Sequence, residues 1–356
     1  MTNIINSESL VLGLMSGTSL DGLDISYARY YKEHDVWRFE LITSHTYYYN
    51  DELKLKFSQV YENKISIQQF DQYFTNIIIA YVKLFIEDNN IKVDLISSHG
   101  HTIFHKPEIG YTKQVGIGKL ISQKLSIPVV SNFREQDVSL GGQGAPLVPI
   151  GDKLLFSQYD SCLNLGGIAN ISYDVADCRV AFDICPCNMV LNHLSNRKGF
   201  SYDAFGEMAQ VGNVNSNLLT QFNELPYYKK NNPKSLGKEH VDKMFMPLLY
   251  GVHISNNDLL STFVEHIALQ ISFSLNQAQC INCLVTGGGA FNTYLISRIN
   301  YYSSAKIIIP NHNIVNFKES IVFGFLGLLR FLNQNNCLAS VTGASNDHCS
   351  GDLYNS

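Results

Sequence analysis

The chain has 356 residues, of which 45% are hydrophobic and 16% charged, and its formal net charge at pH 7 is −5. This composition is typical of a folded globular protein and excludes an intrinsically disordered chain. The small negative charge gives no support for binding to nucleic acid or to a membrane surface. A chain of this length is too long for one simple core, so we expect two domains.

Three features bear on location. Residues 1–9 are polar and lack the basic segment and apolar core of a signal peptide. The most apolar predicted helix, around residues 77–86, contains Lys83 and is too short to cross a bilayer. Eight cysteines are scattered along the chain, which favours reduced thiols over a disulfide framework. Together these features predict a cytoplasmic protein.

The first predicted element is a buried strand over the apolar residues 10–14. It is followed by a small polar turn with two aspartates: Gly17, Thr18, Ser19, Leu20, Asp21, Gly22, Leu23 and Asp24. Backbone N–H groups and hydroxyls of such a turn can wrap phosphate oxygens, and the carboxylates of Asp21 and Asp24 can hold hydrated Mg²⁺. An ordinary turn between two strands has the same composition, so this pattern alone leaves both interpretations open.

The following elements predict a mixed α/β region. In chain order they are strands at residues 25–30, 37–43 and 45–49, two helices, a strand at 93–97, a helix at 118–125 and a strand at 128–131. The first three strands have short polar connections, which favours an antiparallel meander. The second helix begins with a capping-box pattern at Ser66 and Gln69.

A long Gly-rich segment, residues 132–149, has no predicted element of its own, and loops of this length are usually functional or linkers. Arg134 in this segment can hold a carboxylate or a phosphate, with a solvated surface charge as the alternative. His99, His101 and His105 lie upstream without acidic partners. We therefore favour structural or substrate-contact roles for them over a metal site.

The opening pattern recurs roughly 150 residues later, which predicts two domains built on one plan. Residues 162–172 form a strand, a turn at Gly166 and Gly167, and a second strand. Later elements are a strand at 180–183, a helix starting at Pro186, an amphipathic helix through 260–275, a strand at 283–286 ending in Gly287, Gly288 and Gly289, a strand at 306–309 and a helix at 317–332. This mixture indicates an α/β fold with partly antiparallel sheets.

Asp183, at the end of a strand, is the best candidate for a general base, with a helix N-cap as the alternative. The chain lacks the GxxxxGKS or GxxxxGKT sequence of a P-loop, the GxGxxG of a dinucleotide fold and the HRD and DFG set of a protein kinase. Three Gly-rich turns after strands nevertheless favour a ligand site, because ligands of open α/β sheets gather where strands end.

Two groups of cysteines have spacings that resemble metal ligands. Cys185 and Cys187 lie near His193, and Cys280 and Cys283 have CxxC spacing. The first pair flanks a proline at a predicted helix start, and the second has no partner pair elsewhere. We give both only a low weight as metal or redox sites.

Taken in order, several segments closely resemble motifs of the anhydro-N-acetylmuramic acid kinase family, and they span nearly the whole chain: residues 13–24, 98–100, 132–149, 164–170, 182–188, 233–239, 287–292 and 341–344. The resemblance implies an actin/Hsp70/hexokinase-like (ribonuclease H-like) fold. That fold has two related α/β domains, with mixed sheets flanked by helices, and an interdomain cleft. We expect an N-terminal domain at 1–131, a C-terminal domain at 132–332, a return of residues 333–340 to the first domain, and a polar tail at 345–356 without regular structure.

The resemblance also implies an activity. Such enzymes use ATP and Mg²⁺ to open the 1,6-anhydro ring of N-acetylmuramic acid with water and to phosphorylate O6, giving N-acetylmuramate 6-phosphate and ADP in peptidoglycan recycling. The expected partners are the anhydro amino sugar, ATP and a second copy in a homodimer, without nucleic acid or membrane. The resemblance makes Asp183 the base and assigns His99, Arg134, Asn188 and Glu319 to the sugar.

By the same resemblance, ATP is bound by the first turn and the two later glycine turns: Gly17, Thr18, Ser19, Leu20, Asp21, Gly22, Leu23, Asp24, Gly166, Gly167, Gly287, Gly288 and Gly289. Asp21 and Asp24 are the expected Mg²⁺ contacts, through the phosphates or water.

The chain departs from the family pattern around the base. The common form is Asp-Thr-Gly-Pro-Gly-Asn, and this chain has Asp183-Ile-Cys-Pro-Cys-Asn188. Two cysteines therefore add a Cβ where glycine often supplies a positive φ. His101 replaces a usual glutamine, and Leu236 and Lys238 replace a threonine and an arginine.

These departures leave three hypotheses open. The first is a working anhydromuramic acid kinase, which the retained Asp183 favours. The second is a kinase for a related anhydro sugar, and the third is an inactive nucleotide- or sugar-binding protein on the same fold.

Overall fold

The computed structural model describes residues 8–355. Residues 1–7, most of the segment that argued against a signal peptide, lie outside the described part, as does Ser356. Within residues 8–355, no helix is long and apolar enough to cross a membrane.

The strands are β1 (Ser9–Ser16), β2 (Gly22–Glu33), β3 (Val36–Tyr48), β4 (Leu95–Ser98), β5 (His101–Lys106), β6 (Tyr111–Val115), β7 (Val129–Ser131), β8 (Ser161–Leu165), β9 (Ile168–Val175), β10 (Cys178–Pro186), β11 (Asn282–Thr286), β12 (Lys306–Ile308) and β13 (Asp352–Tyr354). The helices are α1 (Asp51–Tyr61), α2 (Ile67–Asn89), α3 (Gly118–Leu125), α4 (Glu135–Ser139), α5 (Pro149–Leu155), α6 (Asn188–Asn196), α7 (Glu207–Gln210), α8 (Ser216–Asn223), α9 (Lys238–Met244), α10 (Met246–Tyr250), α11 (Asn256–Gln277), α12 (Thr293–Tyr302), α13 (His312–Phe331) and α14 (Ala339–Thr342).

The chain forms two compact units. The first runs to Leu155 and resumes at Phe317, and the second is Phe156–Asn316. These limits differ from the predicted boundaries at 131 and 332. Residues 132–155 and the last 15 residues of α13 pack within the first unit, although the sequence pattern assigned them to the second domain.

Both units are built on the same sheet plan. In the first, the order β3-β2-β1-β4-β7 has antiparallel pairs up to β1 and parallel pairs after it. In the second, β10-β9-β8-β11-β12 repeats this order and these directions. The prediction of related mixed α/β domains is therefore confirmed. β13 extends the first sheet by an antiparallel pair with β7.

The central strands are apolar because both of their faces are covered. Val11, Leu12 and Leu14 of β1 are fully buried. In the second unit, α11 buries the predicted stripe of Leu260, Phe263, Val264, Ile267, Ile271 and Leu275. The predicted amphipathic helix is therefore confirmed.

Helix α13 lies directly on β1 and β4 in the first unit. A Cβ added at Gly13 would collide with the carbonyl oxygen of Ser320, so only glycine allows this approach. The Tyr30 hydroxyl donates to the Ile321 carbonyl at 2.6 Å. The Ser97 hydroxyl likewise donates to the helix, at the carbonyl of Phe323. These contacts hold β1 and the middle of α13 in one register.

Two local predictions in the first unit are wrong. The strands expected at 37–43 and 45–49 are one strand, because Thr43 and Ser44 continue the ladder opposite Tyr27 and Ser26 of β2. The capping box of α2 is not formed: Ser66 is the N-cap residue, but its side chain makes no capping hydrogen bond.

Two segments expected to lack structure contain elements. Residues 132–149 include α4, and the side chain of Asp137 in its first turn accepts from the Gly144 N–H at 2.7 Å, folding the loop back. The polar tail at 345–356 includes β13, which pairs with β7. The polar composition of these segments gave no sign of either element. For β13 the reason is that its partner strand, β7, is distant in the sequence.

The contact between β1 and α13 gives a stability prediction. We expect Gly13→Ala to lower the free energy of unfolding by about 2 kcal/mol or more, because the added methyl group forces the helix away from the sheet. The measurement is the urea unfolding midpoint followed by circular dichroism. Gly251→Ala is the control, since its Cβ would lie 3.2 Å from the nearest atom, a contact that a small shift relieves. An unchanged midpoint for Gly13→Ala would contradict the packing described.

Candidate functional site

In the second unit, the glycine turns after β8 and β11 meet at one edge of the sheet. Parallel neighbouring strands end at the same edge, which is where α/β sheets bind ligands. The Asn188 N–H donates to the Gly166 carbonyl at 3.1 Å, and its side-chain amide donates to the Leu165 carbonyl at 2.9 Å. A Cβ at Gly289 would lie 3.3 Å from Asn188 Oδ1. The structure therefore brings these turns and Asn188 together.

The backbone at this edge is open to a ligand. Gly167 and Gly288 are exposed, and the nearest atom to a Cβ at Gly288 would be 3.7 Å away. Gly287 has a φ of +81° and would place a Cβ 2.5 Å from Asn164 Oδ1, so this position requires glycine. Such exposed backbone can approach the phosphates or the adenosine of a nucleotide.

Asp183 lies on β10, and its carboxylate is fixed by a neighbouring segment. Its Oδ2 accepts from the Leu236 N–H at 2.8 Å, and its own N–H donates to the Lys234 carbonyl at 3.0 Å. The Tyr227 hydroxyl donates to the Asp183 carbonyl at 2.5 Å. Within residues 8–355, Oδ1 makes no hydrogen bond and is available to a ligand.

Desolvation raises the pKa of Asp183 above its ordinary value, and the Leu236 N–H opposes this shift only in part. A carboxylate with a raised pKa is a stronger base once it is ionised. The alternative that Asp183 caps α6 is wrong: β10 continues to Pro186, and the N-cap residue is Cys187. Pro186 therefore ends the strand and does not begin the helix.

The two cysteines beside the base are core residues. Cys185 and Cys187 are fully buried in the hydrophobic core of the second unit. Cys187 has a φ of −129°, and Cys185 is likewise not among the residues with positive φ. In this chain, neither position has the positive φ that glycine often supplies at this point of the family pattern. The side chains of both cysteines pack into this core, behind the turn that leads to Asn188.

His193 lies against a tyrosine, and the CxxC pair lies in the protein interior. His193 Nε2 lies 3.1 Å from the Tyr250 hydroxyl, and Cys280 and Cys283 are both buried. Within the described part of the chain, neither set belongs to a cluster of metal-ligating side chains.

In the first unit, a buried hydrogen-bond chain supports the polar turn after β1. The Tyr49 hydroxyl donates to Ser16 Oγ at 2.7 Å, and Ser16 Oγ lies 2.8 Å from His101 Nδ1. His101 Nε2 lies 2.7 Å from the Tyr61 hydroxyl. Burial lowers the pKa of His101 to about 4, so the ring is neutral near pH 7. His101 therefore has the structural role that the sequence favoured.

The turn itself presents donors and carboxylates to solvent. Thr18, Ser19 and Asp21 are exposed, and the two hydroxyls make no hydrogen bond within residues 8–355. Asp24 Oδ1 accepts from the Thr46 hydroxyl at 2.6 Å. Desolvation raises the pKa of Asp24, and the nearby charge of Asp21 adds to this shift. These groups fit phosphate oxygens and a hydrated divalent cation.

Arg134 is a fixed, half-buried cation. Its Nε donates to His99 Nε2 at 3.0 Å, and its Nη1 donates to the Gly144 carbonyl at 2.6 Å. Burial lowers the pKa of Arg134 to about 10, and the Glu319 carboxylate opposes this shift. Burial and the charge of Arg134 lower the pKa of His99, which is therefore a neutral acceptor. The alternative of a solvated surface charge at Arg134 is wrong.

Glu319 completes this cluster. Its side chain reaches solvent, yet surrounding protein desolvates it and raises its pKa. Arg134 lowers this pKa and Asp24 raises it further, so Glu319 lies within electrostatic range of both, and His99 bonds directly to Arg134. His105 lies 3.1 Å from the Thr112 hydroxyl and borders this cluster at Gly144, where an added Cβ would be 3.3 Å from His105 Cε1.

Sequence reasoning missed the groups that hold the candidate base and cation. Tyr227 and the Leu236 N–H anchor Asp183, and the Gly144 carbonyl orients Arg134. Backbone groups and a tyrosine distant in the sequence leave no local pattern. The available signals were the two motif segments, 132–149 and 233–239, that contain Gly144 and Leu236.

Comparison with known proteins points to one family. The family model described as anhydro-N-acetylmuramic acid kinase matches residues 9–356. A protein of that name from Crocosphaera subtropica is 32% identical, and the alignment covers 96% of this chain and 98% of that protein. One from Sulfurimonas denitrificans, also of that name, is 30% identical, with 96% and 98% covered.

Solved structures give weaker similarities. The (R)-2-hydroxyglutaryl-CoA dehydratase component A of Acidaminococcus fermentans has a TM-score of 0.46 and 10% identity, over 90% of this chain and 97% of that one. A ROK family glucokinase from Streptomyces griseus, in complex with glucose and AMPPNP, has a TM-score of 0.42 and 9% identity, over 90% and 99%. The family match rests on the sequence relatives and the near-complete span of the family model. The chain belongs to the anhydro-N-acetylmuramic acid kinase family.

Proposed function

We propose that this chain is an ATP-dependent kinase that opens 1,6-anhydro-N-acetylmuramic acid with water and phosphorylates O6, in peptidoglycan recycling. The observation that carries the proposal is Asp183. In a chain of this family, it is a desolvated carboxylate with one oxygen held by the Leu236 N–H and the other available.

The substrate requires a base because it has no free 6-hydroxyl group: O6 is bonded to C1. Asp183 takes a proton from water as the water oxygen bonds to C1, and the C1–O6 bond breaks. O6 accepts the γ-phosphoryl group of ATP, and ADP leaves. The products are N-acetylmuramate 6-phosphate and ADP, with the water oxygen at C1.

Separate groups of each unit serve ATP. In the first unit, the exposed turn with Thr18 and Ser19 would donate to phosphate oxygens, and Asp21 and Asp24 would hold Mg²⁺ through water. Bound Mg²⁺ neutralises charge on the transferring phosphoryl group. In the second unit, the exposed backbone of the glycine turns after β8 and β11 would contact the nucleotide.

We assign binding of the sugar substrate to His99, Arg134, Glu319 and Asn188. Arg134 uses two N–H groups within the protein. A guanidinium has five such donors, which leaves others for a carboxylate such as the lactyl group of the substrate. Because His99 is a neutral acceptor, it keeps the Arg134 plane fixed without competing for an anion.

A kinase for a related anhydro sugar is the second candidate. It is favoured by Cys185 and Cys187, whose added atoms fill the core immediately before Asn188. A substrate panel separates the two: 1,6-anhydro-N-acetylglucosamine, which lacks the lactyl group, should be the poorer substrate under the main proposal. Preference for it would support the second candidate. ATP binding without turnover of either sugar would support the inactive binding protein.

Homodimer formation and a cytoplasmic location stay predictions. Sedimentation of the purified chain tests the first, and cell fractionation tests the second. A cytoplasmic location is consistent with the use of ATP.

The first test of the function is turnover of 1,6-anhydro-N-acetylmuramic acid with MgATP by the native chain and Asp183→Asn. We expect native protein to form the 6-phosphate and the variant to lose about 10²- to 10⁴-fold in kcat, because the amide cannot accept the proton. ATP affinity should stay unchanged. Asp35→Asn is the control, since Asp35 is exposed in the β2–β3 turn with a φ of +63° that asparagine tolerates. Native-like turnover by Asp183→Asn would exclude it as the base.

The raised pKa of Asp183 gives a pH prediction. The carboxylate acts as a base only when ionised, so kcat/KM should fall as the pH drops through its folded-state pKa. Because desolvation raises that pKa, the acid limb should lie above about 3.9, the ordinary value for aspartate. The measurement is kcat/KM against pH at constant ionic strength. A limb at or below the ordinary value would show that the base is not desolvated.

A further inference from the structure

A second cluster of chemically active side chains lies in the first unit, apart from the groups assigned to ATP and the sugar. It consists of Asp137, Cys337 and His348, of which 0%, 1% and 5% are exposed. One ligand atom from each residue lies within 4.8 Å of the other two. A thiol, an imidazole and a carboxyl group are thus gathered at a buried point with no role in the proposed reaction.

Backbone pairing fixes two of the three residues. The Cys337 N–H donates to the His348 carbonyl at 3.1 Å, and the His348 N–H donates to the Cys337 carbonyl at 3.2 Å. This antiparallel bridge holds the two residues as direct neighbours. Their side chains are therefore placed before any ligand arrives.

Asp137 is fixed independently, at the other side of the cluster. Its Oδ2 accepts from the Gly144 N–H at 2.7 Å, and its Oδ1 accepts from the Thr342 hydroxyl at 2.6 Å. A carboxylate oxygen has two lone pairs, so Oδ1 retains one for a further partner.

The hydrogen bond at His348 Nδ1 leaves the other ring nitrogen, Nε2, as an unpaired acceptor in the cluster. His348 Nδ1 lies 3.1 Å from the Asn346 carbonyl, which only accepts, so Nδ1 carries the hydrogen. Within residues 8–355, the buried Nε2 has no hydrogen-bond partner, and it lies 3.5 Å from Asp137 Oδ1. In the neutral ring, two acceptors therefore face each other, and a cation between them removes the repulsion.

The spacing suits a metal ion better than a proton. Two ligands about 2.0–2.1 Å from a tetrahedral zinc ion lie roughly 3.3 Å apart, close to the separation of His348 Nε2 and Asp137 Oδ1. A proton would join only these two atoms, whereas a metal ion would also engage the Cys337 sulfur. The bond from His348 Nδ1 to a carbonyl is also the outer contact that metal-bound histidines commonly make.

We propose that Asp137, Cys337 and His348 bind one Zn²⁺ ion. One thiolate, one imidazole and one carboxylate favour zinc over Mg²⁺ or Ca²⁺, which prefer oxygen ligands only. Binding displaces the Cys337 thiol proton to solvent, and water takes the fourth position. The proposal is independent of the kinase reaction.

The role of this ion is structural. Asp137 lies in α4, three residues after Arg134, and the Gly144 N–H that it accepts from belongs to the residue whose carbonyl orients the Arg134 guanidinium. Cys337 and His348 belong to the segment after α13. The ion would clip this segment to the loop that carries Arg134.

The test uses the full chain, purified without an affinity tag, treated with a chelator and then titrated with Zn²⁺ or Co²⁺. We expect one tightly held metal per chain by elemental analysis after gel filtration. With Co²⁺ we expect a near-ultraviolet thiolate-to-metal band. Both should weaken at least about tenfold in Cys337→Ser and in His348→Gln, since even an outer-shell partner contributes that much. Zn²⁺ should raise the melting temperature of the native chain more than that of Cys337→Ser or His348→Gln.

Cys178→Ser is the matched control, because Cys178 is an exposed thiol in the second unit. It should keep the metal and the band. If Cys337→Ser does not fold, His348→Gln keeps the test valid. Absence of stoichiometric metal in native protein, or a cobalt band that persists in Cys337→Ser, would overturn the proposal. Because no substrate is used, failure of the kinase assay does not affect the result.

Discussion

The direct contact between α13 and β1 is the constraint on which the arrangement of the first unit depends. Only glycine at position 13 lets the Ser320 carbonyl approach the central strand. Glu319 precedes Ser320, and the polar turn that begins at Gly17 follows the end of β1. A packing contact between two backbones thus sets the separation of a carboxylate and a phosphate-type turn. The Ser97 hydroxyl, bonded to the same helix, adds the end of β4 and the neighbouring His99.

In the second unit, hydrogen bonds position the polar groups of the candidate site. Asp183 is desolvated, which on its own disfavours the charged form, and a backbone N–H holds the carboxylate in place. Asn188 bridges two turns through its backbone and its side chain. Both units therefore use the same sheet plan but position their polar groups differently: by close packing in the first and by segments that return to the strand ends in the second.

The sequence predicted what depends on local pattern. Apolar runs identified the central strands, their recurrence indicated two units of one plan, and the spacing of Leu260 to Leu275 identified α11. It failed where the partner is distant: Thr43 and Ser44 are strand residues because β2 pairs with them, and Asp352–Tyr354 is a strand because β7 does. The same limit applies to the site. Asp183 and Arg134 were identified as candidates by residue type and motif, whereas Gly144 lay in the same motif segment as Arg134 without any sign that its carbonyl orients that side chain.

The cysteines show two further limits of sequence reasoning. Cys185 and Cys187 replace glycines of the family pattern, and only the structure shows that neither has a positive φ and that both are buried packing residues. Cys280 and Cys283 carried only a weak metal signal through their CxxC spacing, whereas Cys337, the buried thiol that meets an imidazole and a carboxyl group, carried none, because its partners are separate in the sequence. Ligand clusters built from separate segments are visible only in the fold.

The most direct test of the central claim is turnover of the anhydro sugar with MgATP in ¹⁸O-labelled water. The reaction is quenched early, and unlabelled N-acetylmuramate 6-phosphate is incubated alongside to measure anomeric exchange. The account predicts one ¹⁸O atom at C1 beyond that exchange and none in the phosphoryl group, because water attacks the sugar and O6 receives the phosphate. Label in phosphate with C1 unlabelled, or ADP formed without phosphosugar, would contradict it.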